Sequence, residues 1–457
     1  MVPQSLTDRP LSLYTDEYAL TMAQSFLRHG QDGIVAFEMT VRSMPPSRGY
    51  LVTAGLEQVL AFLLSLRFGD GDIEFLSGQG IYSRELLDHL AALRFTGSVD
   101  AIPEGTPVGA GVPLLRIIAP RVQATLVESS LLALVNHQTM IASKASRIVE
   151  AASGRPVWDF SLRRLPGPEA AIGVARAAYI AGAAGTATVA AGKRLHIPTT
   201  GTMAHHFVLA FGEDNEQAAF AQFLRDYPGR AVLLVDTYDT ARGVDRAIAA
   251  SRATGVPLAG VRLDSGDIAE LARFARERLD AAGLSAAAII ASGDLDEYRI
   301  EELLSDGAPI DAFGVGTMLG TSADAPHIGG IYKLVAQTPG GDAAMAPTMK
   351  VTSDKQTDPG LHQVFHTSRC DVIGLVDEEL PGEPLLTTVM RDGEVAVDLP
   401  SLDVIRARCR ERVAALPDEV RRIRDPQAWP VERSKRLVEL RDRLLAEGGH
   451  RAGVMVA

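Results

Sequence analysis

Three short segments concentrate the residue types that chemistry on an anionic substrate requires. Gly201-Thr-Met-Ala-His-His206 offers backbone N–H groups left open by glycine, a hydroxyl and an imidazole. Val261-Arg-Leu-Asp-Ser-Gly-Asp267 offers a guanidinium and carboxylates, and Phe313-Gly-Val-Gly-Thr317 offers two glycines and a hydroxyl. Adjacent histidines point in different directions on a strand or helix, so at most one of His205 and His206 is expected to face a site. A helix predicted over 207–211 sets His205 near a helix N-terminus, where anions are favoured. A neutral imidazole there is a phosphoryl acceptor or a simple hydrogen-bond donor, and the bland alternative is a structural histidine. Arg262 and Asp264, two apart at a strand end, share a side. The arginine fork suits a planar carboxylate and the aspartate a ribose hydroxyl or a Mg²⁺ water, with a mutual ion pair as the competing reading. Ser265-Gly-Asp267 supplies a helix N-cap in either case. Gly316 and Thr317, after a late strand, are candidates to bind phosphate through backbone amides, although glycines also mark tight packing.

Other candidates are less specific. Leu162-Arg-Arg164 follows the strand-like Val157-Trp-Asp-Phe160. Paired arginines usually form a solvated face, but at a strand end of an acidic chain they point to a phosphate or carboxylate ligand. Lys350-Val-Thr-Ser-Asp-Lys355 is either a basic loop that closes on substrate or plain surface. Tyr18, on an early helix, reads from first principles as core or rim.

The elements that must position these residues alternate regularly in the middle of the chain. Apolar runs at 231–236, 257–264, 287–294 and 310–316 are separated by helical stretches at 241–253, 268–282 and 295–305. Runs apolar on both faces belong in a parallel sheet covered by helices. Asp236, Asp264, Asp294 and Gly316 each fall at the carboxyl end of a strand, and in a barrel those ends share the active-site face. The expected fold is therefore an irregular TIM-like α/β barrel at 126–337. A second mixed α/β domain is expected from 1–125, completed by about 338–400, and 401–457 reads as a C-terminal helical extension. Within the N-terminal part, a capped helix begins at Thr15-Asp-Glu-Tyr-Ala-Leu-Thr-Met22, strands fall at 33–40 and 114–118, and 122–152 reads as a long helical stretch.

The chain of 457 residues carries a formal net charge of −12, with 46% hydrophobic and 22% charged residues. That composition fits a globular protein with a sizeable core and argues against nonspecific nucleic-acid binding, which needs a basic face. It also demands a locally basic pocket for any phosphate, with Arg163, Arg164, Arg262, Lys333, Lys350 and Lys355 as candidates. Two distant cysteines, Cys370 and Cys409, make neither a disulfide framework nor a zinc spacing. The first residues hold no secretory signal pattern and no apolar run reaches membrane-spanning length, so a cytoplasmic protein with no membrane partner is expected.

Taken together, these motifs resemble those of the nicotinate phosphoribosyltransferase family over almost the whole chain. Thr15-Asp-Glu-Tyr-Ala-Leu-Thr-Met22 is similar to the family's T-D-x-Y-x-x-T-M. Leu162-Arg-Arg164 matches L-R-R, Gly201-Thr-Met-Ala-His205 matches G-T-x-A-H, and 261–267 matches V-R-L-D-S-G-D. Phe313-Gly-Val-Gly-Thr317, Gly329-Gly-Ile-Tyr-Lys-Leu-Val335, Met349-Lys350 and Lys355-Gln-Thr-Asp-Pro-Gly360 match later motifs. The resemblance implies transfer of phosphoribosyl from 5-phosphoribosyl-1-pyrophosphate to nicotinate, coupled to ATP hydrolysis and using Mg²⁺. It implies that ATP transiently phosphorylates His205 and that Tyr18 stacks on the pyridine ring across a homodimer interface. Thr202 and Arg262 would contact nicotinate, and Gly316 and Thr317 would hold the ribose 5-phosphate. Asp264 and Asp294 would serve the ribose and the pyrophosphate–Mg²⁺ end, with the metal-binding carboxylate left open. Two departures stand out. Leu165-Pro-Gly167 replaces the A-Q-G that often follows L-R-R, so the loop after Arg163 and Arg164 is expected to take a different shape. His206 stands where a serine or aromatic is expected. Competing readings are a related transferase acting on nicotinamide or quinolinate, a phosphate-binding barrel such as a sugar-phosphate isomerase or lyase, and an inactive nucleotide sensor.

Overall fold

A computed structural model describes residues 3–8, 10–339, 344–350 and 357–447. The chain divides into two compact units. The first joins Met1–Ser143, His327–Arg422 and Pro426–Ala457, and the second joins Lys144–Pro326 with Ile423–Asp425.

The second unit is built on a parallel sheet. Its strands lie in the order Gly185–Thr186, Val157–Asp159, Ala312–Val315, Ala288–Ala291, Gly260–Leu263, Val232–Leu234. Registers are continuous across the middle, with Ile290 opposite both Arg262 and Ala312, and Val315 opposite Asp159. The inner strands are short and apolar because helices cover them, and Ala312–Val315 is buried at every position. A parallel bridge from Thr186 to Thr199 extends one edge. Among the described residues this is a six-stranded parallel sheet with no pairing between its two edges, where the sequence predicts an irregular TIM-like α/β barrel. The edge strands Gly185–Thr186 and Val232–Leu234 are only two and three residues long.

The helices start where carboxylates cap them. Asp239 accepts from the Arg242 N–H to open Thr240–Thr254, Asp267 from Ala269 and Glu270 to open Ile268–Ala281, and Asp296 from Arg299 to open Glu297–Ser305. Glu297 is buried and receives Lys144 Nζ at 2.5 Å and Arg147 Nε at 3.1 Å, while Asp324 takes the same ammonium at 2.9 Å. This cluster pins the long helix Glu128–Ala151 at its C-terminal half to the sheet-covering helix.

The first unit carries an antiparallel sheet whose central strands are Gly330–Gln337, Ile34–Val41, Pro113–Pro120, Ser98–Ala101 and Thr387–Arg391. A smaller sheet orders Glu383–Pro384, His362–His366, Asp371–Leu375 and Val431–Arg433. Where the sequence predicts only helices after 400, the structure has Leu402–Ala414 and Lys435–Ala446 with the strand Val431–Arg433 between them, parallel to Asp371–Leu375. Pro417, Pro426 and Pro430 interrupt the helical run and leave that segment free to pair. The helical stretch expected over 122–152 is formed by two helices, Arg121–Leu126 and Glu128–Ala151.

Candidate active site

All paired strands of the second unit run the same way, so their carboxyl ends line one edge of the sheet. His205 opens the short helix His205–Leu209, preceded by Ala204 in an extended conformation. Its Nδ1 lies 3.2 Å from Thr237 Oγ1. Its Nε2 lies 3.8 Å from Asp264 Oδ2, beyond hydrogen-bond range. His206 is exposed and its neighbour makes both contacts.

Asp264 is held from two sides. Ser292 Oγ donates to its Oδ1 at 2.5 Å, and its own N–H donates to Asp236 Oδ2 at 3.0 Å. Ser265 Oγ donates to the same Asp236 oxygen at 2.7 Å. The other Asp236 oxygen, Oδ1, is buried without a hydrogen-bond partner. Such an orphan is costly unless a ligand or water meets it.

Arg262 faces the same cluster. Its Nη2 donates to the Met203 carbonyl at 3.1 Å, which ties the strand end to the loop two residues before His205. The guanidinium thus bonds the loop, while Asp264 is engaged by Ser292. Burial pushes the Arg262 pKa down, the carboxylates of Asp264 and Asp236 push it back up, and the charge of Arg163 adds to the lowering. Arg262 Nε is also buried and unpartnered. A half-buried cation with a donor in reserve, beside a carboxylate with a spare oxygen, can take a ligand that both accepts and coordinates.

The other candidates of this unit lie on the same edge or beside it. Thr202 is half-buried, with Oγ1 donating to the Met203 carbonyl at 3.3 Å. Asp294 is exposed and adopts a positive φ of 44°. Gly316 caps the turn Thr317–Gly320, and Thr317 is half-buried. Arg163 and Arg164 are exposed on the 3-10 turn Leu162–Arg164. Tyr18 and Lys350 belong to the first unit. Tyr18 is 47% exposed, and its hydroxyl pKa is raised by burial and by the Glu128 carboxylate. Lys350 is exposed, with its N–H donating to Thr357 Oγ1 at 3.1 Å. Lys333 lines a cavity of about 190 Å³ in the first unit with Arg42, Glu38, Asp358 and His362. Lys355 lies outside the described residues.

Sequence reasoning singled out neither Thr237 nor Ser292, and noted Asp236 only as a strand end. A signal was available. Asp236-Thr237 and Asp264-Ser265 repeat one pattern, a carboxylate followed by a hydroxyl at the end of a strand. No group of three or more His, Cys, Asp or Glu among the described residues is arranged to hold a metal by itself. No described helix is long and apolar enough to cross a membrane.

Comparison with known proteins bears on this arrangement. Residues 13–136 match the nicotinate phosphoribosyltransferase (NAPRTase) N-terminal domain, and residues 361–441 match the nicotinate phosphoribosyltransferase C-terminal domain. The chain is 46% identical over 436 residues to nicotinate phosphoribosyltransferase pncB2 of Mycobacterium tuberculosis (strain ATCC 25618 / H37Rv), covering 93% of this chain and 92% of the relative. It is 36% identical to nicotinate phosphoribosyltransferase of Bacillus subtilis (strain 168), covering 95% of each. Among solved structures, that of human nicotinic acid phosphoribosyltransferase superposes with a TM-score of 0.83 at 27% identity, over 94% of this chain and 99% of that one.

Proposed function

The chain belongs to the nicotinate phosphoribosyltransferase family, and from that premise we propose that it joins nicotinate to 5-phosphoribosyl-1-pyrophosphate with ATP hydrolysis coupled through a phosphohistidine at His205. Its activity is that of the family, nicotinate phosphoribosyl transfer in NAD salvage. The observation that carries the coupled mechanism is the setting of His205. His205 Nδ1 lies 3.2 Å from Thr237 Oγ1; in the tautomer whose Nδ1–H donates to that hydroxyl, Nε2 keeps its lone pair and is the atom to attack the terminal phosphorus of ATP. Asp264, 3.8 Å from Nε2, stabilises positive charge on the ring as the N–P bond forms and ADP leaves. Hydrolysis of that bond returns the neutral imidazole and phosphate.

For the transfer itself, the pyridine nitrogen attacks the anomeric carbon as the C–O bond to pyrophosphate breaks. The transition state is oxocarbenium-like, so the residues must align the two partners and exclude water rather than donate a proton. Arg262 is assigned to the nicotinate carboxylate, with Thr202 beside it. Arg163 and Arg164 supply further positive charge. Gly316 and Thr317 are assigned to the ribose 5-phosphate, and Asp264 and Asp294 to the ribose and pyrophosphate end. The orphan oxygen of Asp236 fits Mg²⁺, which typically takes one or two carboxylates and completes its shell with water and substrate phosphate. Asp236 and Asp264 would hold it, and bound there it supplies charge neutralisation for the pyrophosphate.

We assign the finer architecture on the same footing: the parallel sheet as part of an irregular TIM-like barrel, the assembly as a homodimer and the location as cytoplasmic. The test is nicotinate mononucleotide formation with and without ATP, on wild type and on His205→Ala. Wild type should be stimulated by ATP and acquire an acid-labile phosphate, and His205→Ala should lose both the label and the stimulation. Label on His206, or equal stimulation of the variant, refutes the mechanism. Parallel assays with nicotinamide and quinolinate test the substrate assignment, which the half-buried guanidinium of Arg262 supports.

A further inference from the structure

A buried polar cluster lies beside the candidate site and takes no part in the chemistry assigned above. Asp159 ends the strand Val157–Asp159 and is 1% exposed. Its Oδ1 accepts from the Ser161 N–H at 2.9 Å and from Ser161 Oγ at 2.5 Å. Its Oδ2 accepts from Thr186 Oγ1 at 2.7 Å. Both oxygens are thus occupied by protein donors and neither is open to a ligand.

Those donors belong to segments that carry site residues. Ser161 precedes the Leu162–Arg164 turn, whose Arg164 N–H donates back to the Ser161 carbonyl at 2.7 Å. Thr186 sits opposite the segment leading into Gly201–His205: its N–H donates to the Pro198 carbonyl at 3.0 Å, and its carbonyl accepts from Thr200 at 3.0 Å. Thr186 Oγ1 also accepts from the Thr188 N–H at 3.0 Å. The third segment is the Thr317–Gly320 turn. A Cβ on Gly320 would lie 2.3 Å from Ser161 Cβ, so the turn packs directly onto Ser161. The Phe160 N–H donates to the Val315 carbonyl at 2.9 Å just before that turn.

We propose that Asp159 is a positioning residue, whose carboxylate fixes the Arg163–Arg164 turn, the segment leading to Thr202 and His205, and the Gly316–Thr317 turn relative to one another. The proposal rests on the function assigned above, because it gives those three segments one common substrate complex to hold. A carboxylate suits the task because it accepts from both sides at once. Burial raises the pKa of Asp159, and the donors from Ser161 and Thr186 work to lower it. An asparagine keeps the shape but presents N–H groups to one side. If they face Thr186 Oγ1, that hydroxyl must accept twice and its own proton loses its acceptor.

The experiment compares Asp159→Asn, Thr186→Val and Thr186→Ser in the full-length enzyme. Asp159→Asn and Thr186→Val should raise the KM for nicotinate and lower kcat, each by roughly tenfold to a hundredfold, as expected for misplaced reacting groups. Thr186→Ser keeps the hydroxyl and should stay within threefold of wild type. The double variant Asp159→Asn/Thr186→Val should be no worse than the poorer single one, because both remove one link. Hydrogen exchange of 161–165 and 198–205 should quicken in Asp159→Asn and in Thr186→Val. Kinetic constants unchanged in a folded Asp159→Asn, or equal losses in Thr186→Ser and Thr186→Val, overturn the proposal. If wild type makes no nicotinate mononucleotide, the function assignment fails separately, and the exchange rates alone decide: unchanged protection in both segments overturns the positioning role.

Discussion

Gly293→Ala tests whether the strand-end cluster must hold Asp264 in place. Gly293 follows Ser292, the residue that donates to Asp264, and has a φ of +85°. A Cβ there would sit 2.0 Å from the Asp264 carbonyl oxygen and 3.0 Å from its carbon. Ordinary contact begins at 3.4 Å, so backbone must move by more than 1 Å, and no flexible side chain can absorb it. Positive φ alone costs an alanine roughly 1–2 kcal/mol. The displacement falls on the carboxylate that faces His205 at 3.8 Å. A 1 Å misplacement of a reacting group costs on the order of a hundredfold in rate, about 2.7 kcal/mol of transition-state stabilisation. Gly255→Ala is the control, since its φ of +66° carries the strain but no atom lies within 4 Å of the new Cβ. Gly293→Ala should therefore lower kcat/KM for nicotinate mononucleotide formation about a hundredfold, while Gly255→Ala loses only stability, roughly 1–2 kcal/mol. Melting curves should show that both fold. A folded Gly293→Ala with kcat/KM within threefold of wild type would refute the argument.

Three further outcomes concern buried charge and the two thiols. In the first unit, Glu38 receives His362 Nδ1 at 2.6 Å and Arg116 Nη1 at 3.2 Å, so Glu38→Ala should cost roughly 3–5 kcal/mol in urea unfolding. Burial opposes both charges, yet their mutual attraction leaves the Glu38 pKa below its ordinary 4.5 and that of His362 above its ordinary 6.5. The lowered carboxyl loses its contribution as pH falls through its folded pKa, and the raised imidazole loses its own as pH rises through its folded pKa. The stability gap between wild type and Glu38→Ala should therefore be greatest between about pH 4.5 and 6.5 and shrink on both sides, whereas a pH-independent gap would exclude the linkage. Lys144→Met leaves Glu297, which is fully buried, with Arg147 as its remaining cation, and should also cost roughly 3–5 kcal/mol by urea unfolding, with a loss under about 1 kcal/mol counting against the cluster. Cys409 is buried with its thiol pushed up to about 12, so iodoacetamide at about pH 8 should label only Cys370 in the native protein and both after denaturation.

The parallel unit was legible because its elements obey local rules. The helix expected at 268–282 is Ile268–Ala281, and the strand expected at 257–264 is Gly260–Leu263, since an apolar run stops at Asp264 and Asp267 caps the next helix. His205, Arg262 and Asp264 were legible as chemistry-bearing types at strand ends. Pairings between distant positions were not. Glu38 meets His362 across 324 residues and Lys144 meets Glu297 across 153, and neither partner carries a local mark of the other. Thr237 was missed for a related reason: a threonine after a strand is ordinary until the loop bearing His205 is brought beside it. The edge strands of the parallel sheet, two and three residues long, fall below the length at which periodicity speaks.

Charge sets the last constraint on the proposed mechanism. The chain as a whole is at −12, and a phosphoryl group on His205 would add about −1.5 to −2 beside Asp264. Two unit charges about 4 Å apart repel by roughly 1 kcal/mol in water and roughly 4 kcal/mol at an effective dielectric of about 20. With His205 41% exposed and Asp264 31% exposed, solvent keeps the repulsion toward the lower figure. A penalty of that size favours release of the phosphoryl group without preventing its transfer, which is what a transient intermediate needs. The compensating cation must then act on the loop rather than on the phosphate alone. Arg262 meets that requirement, because its Nη2 already holds the Met203 carbonyl two residues before His205 while Nε stays free for a ligand. Under the proposed mechanism, one guanidinium would thereby link the histidine loop to occupancy of the pocket.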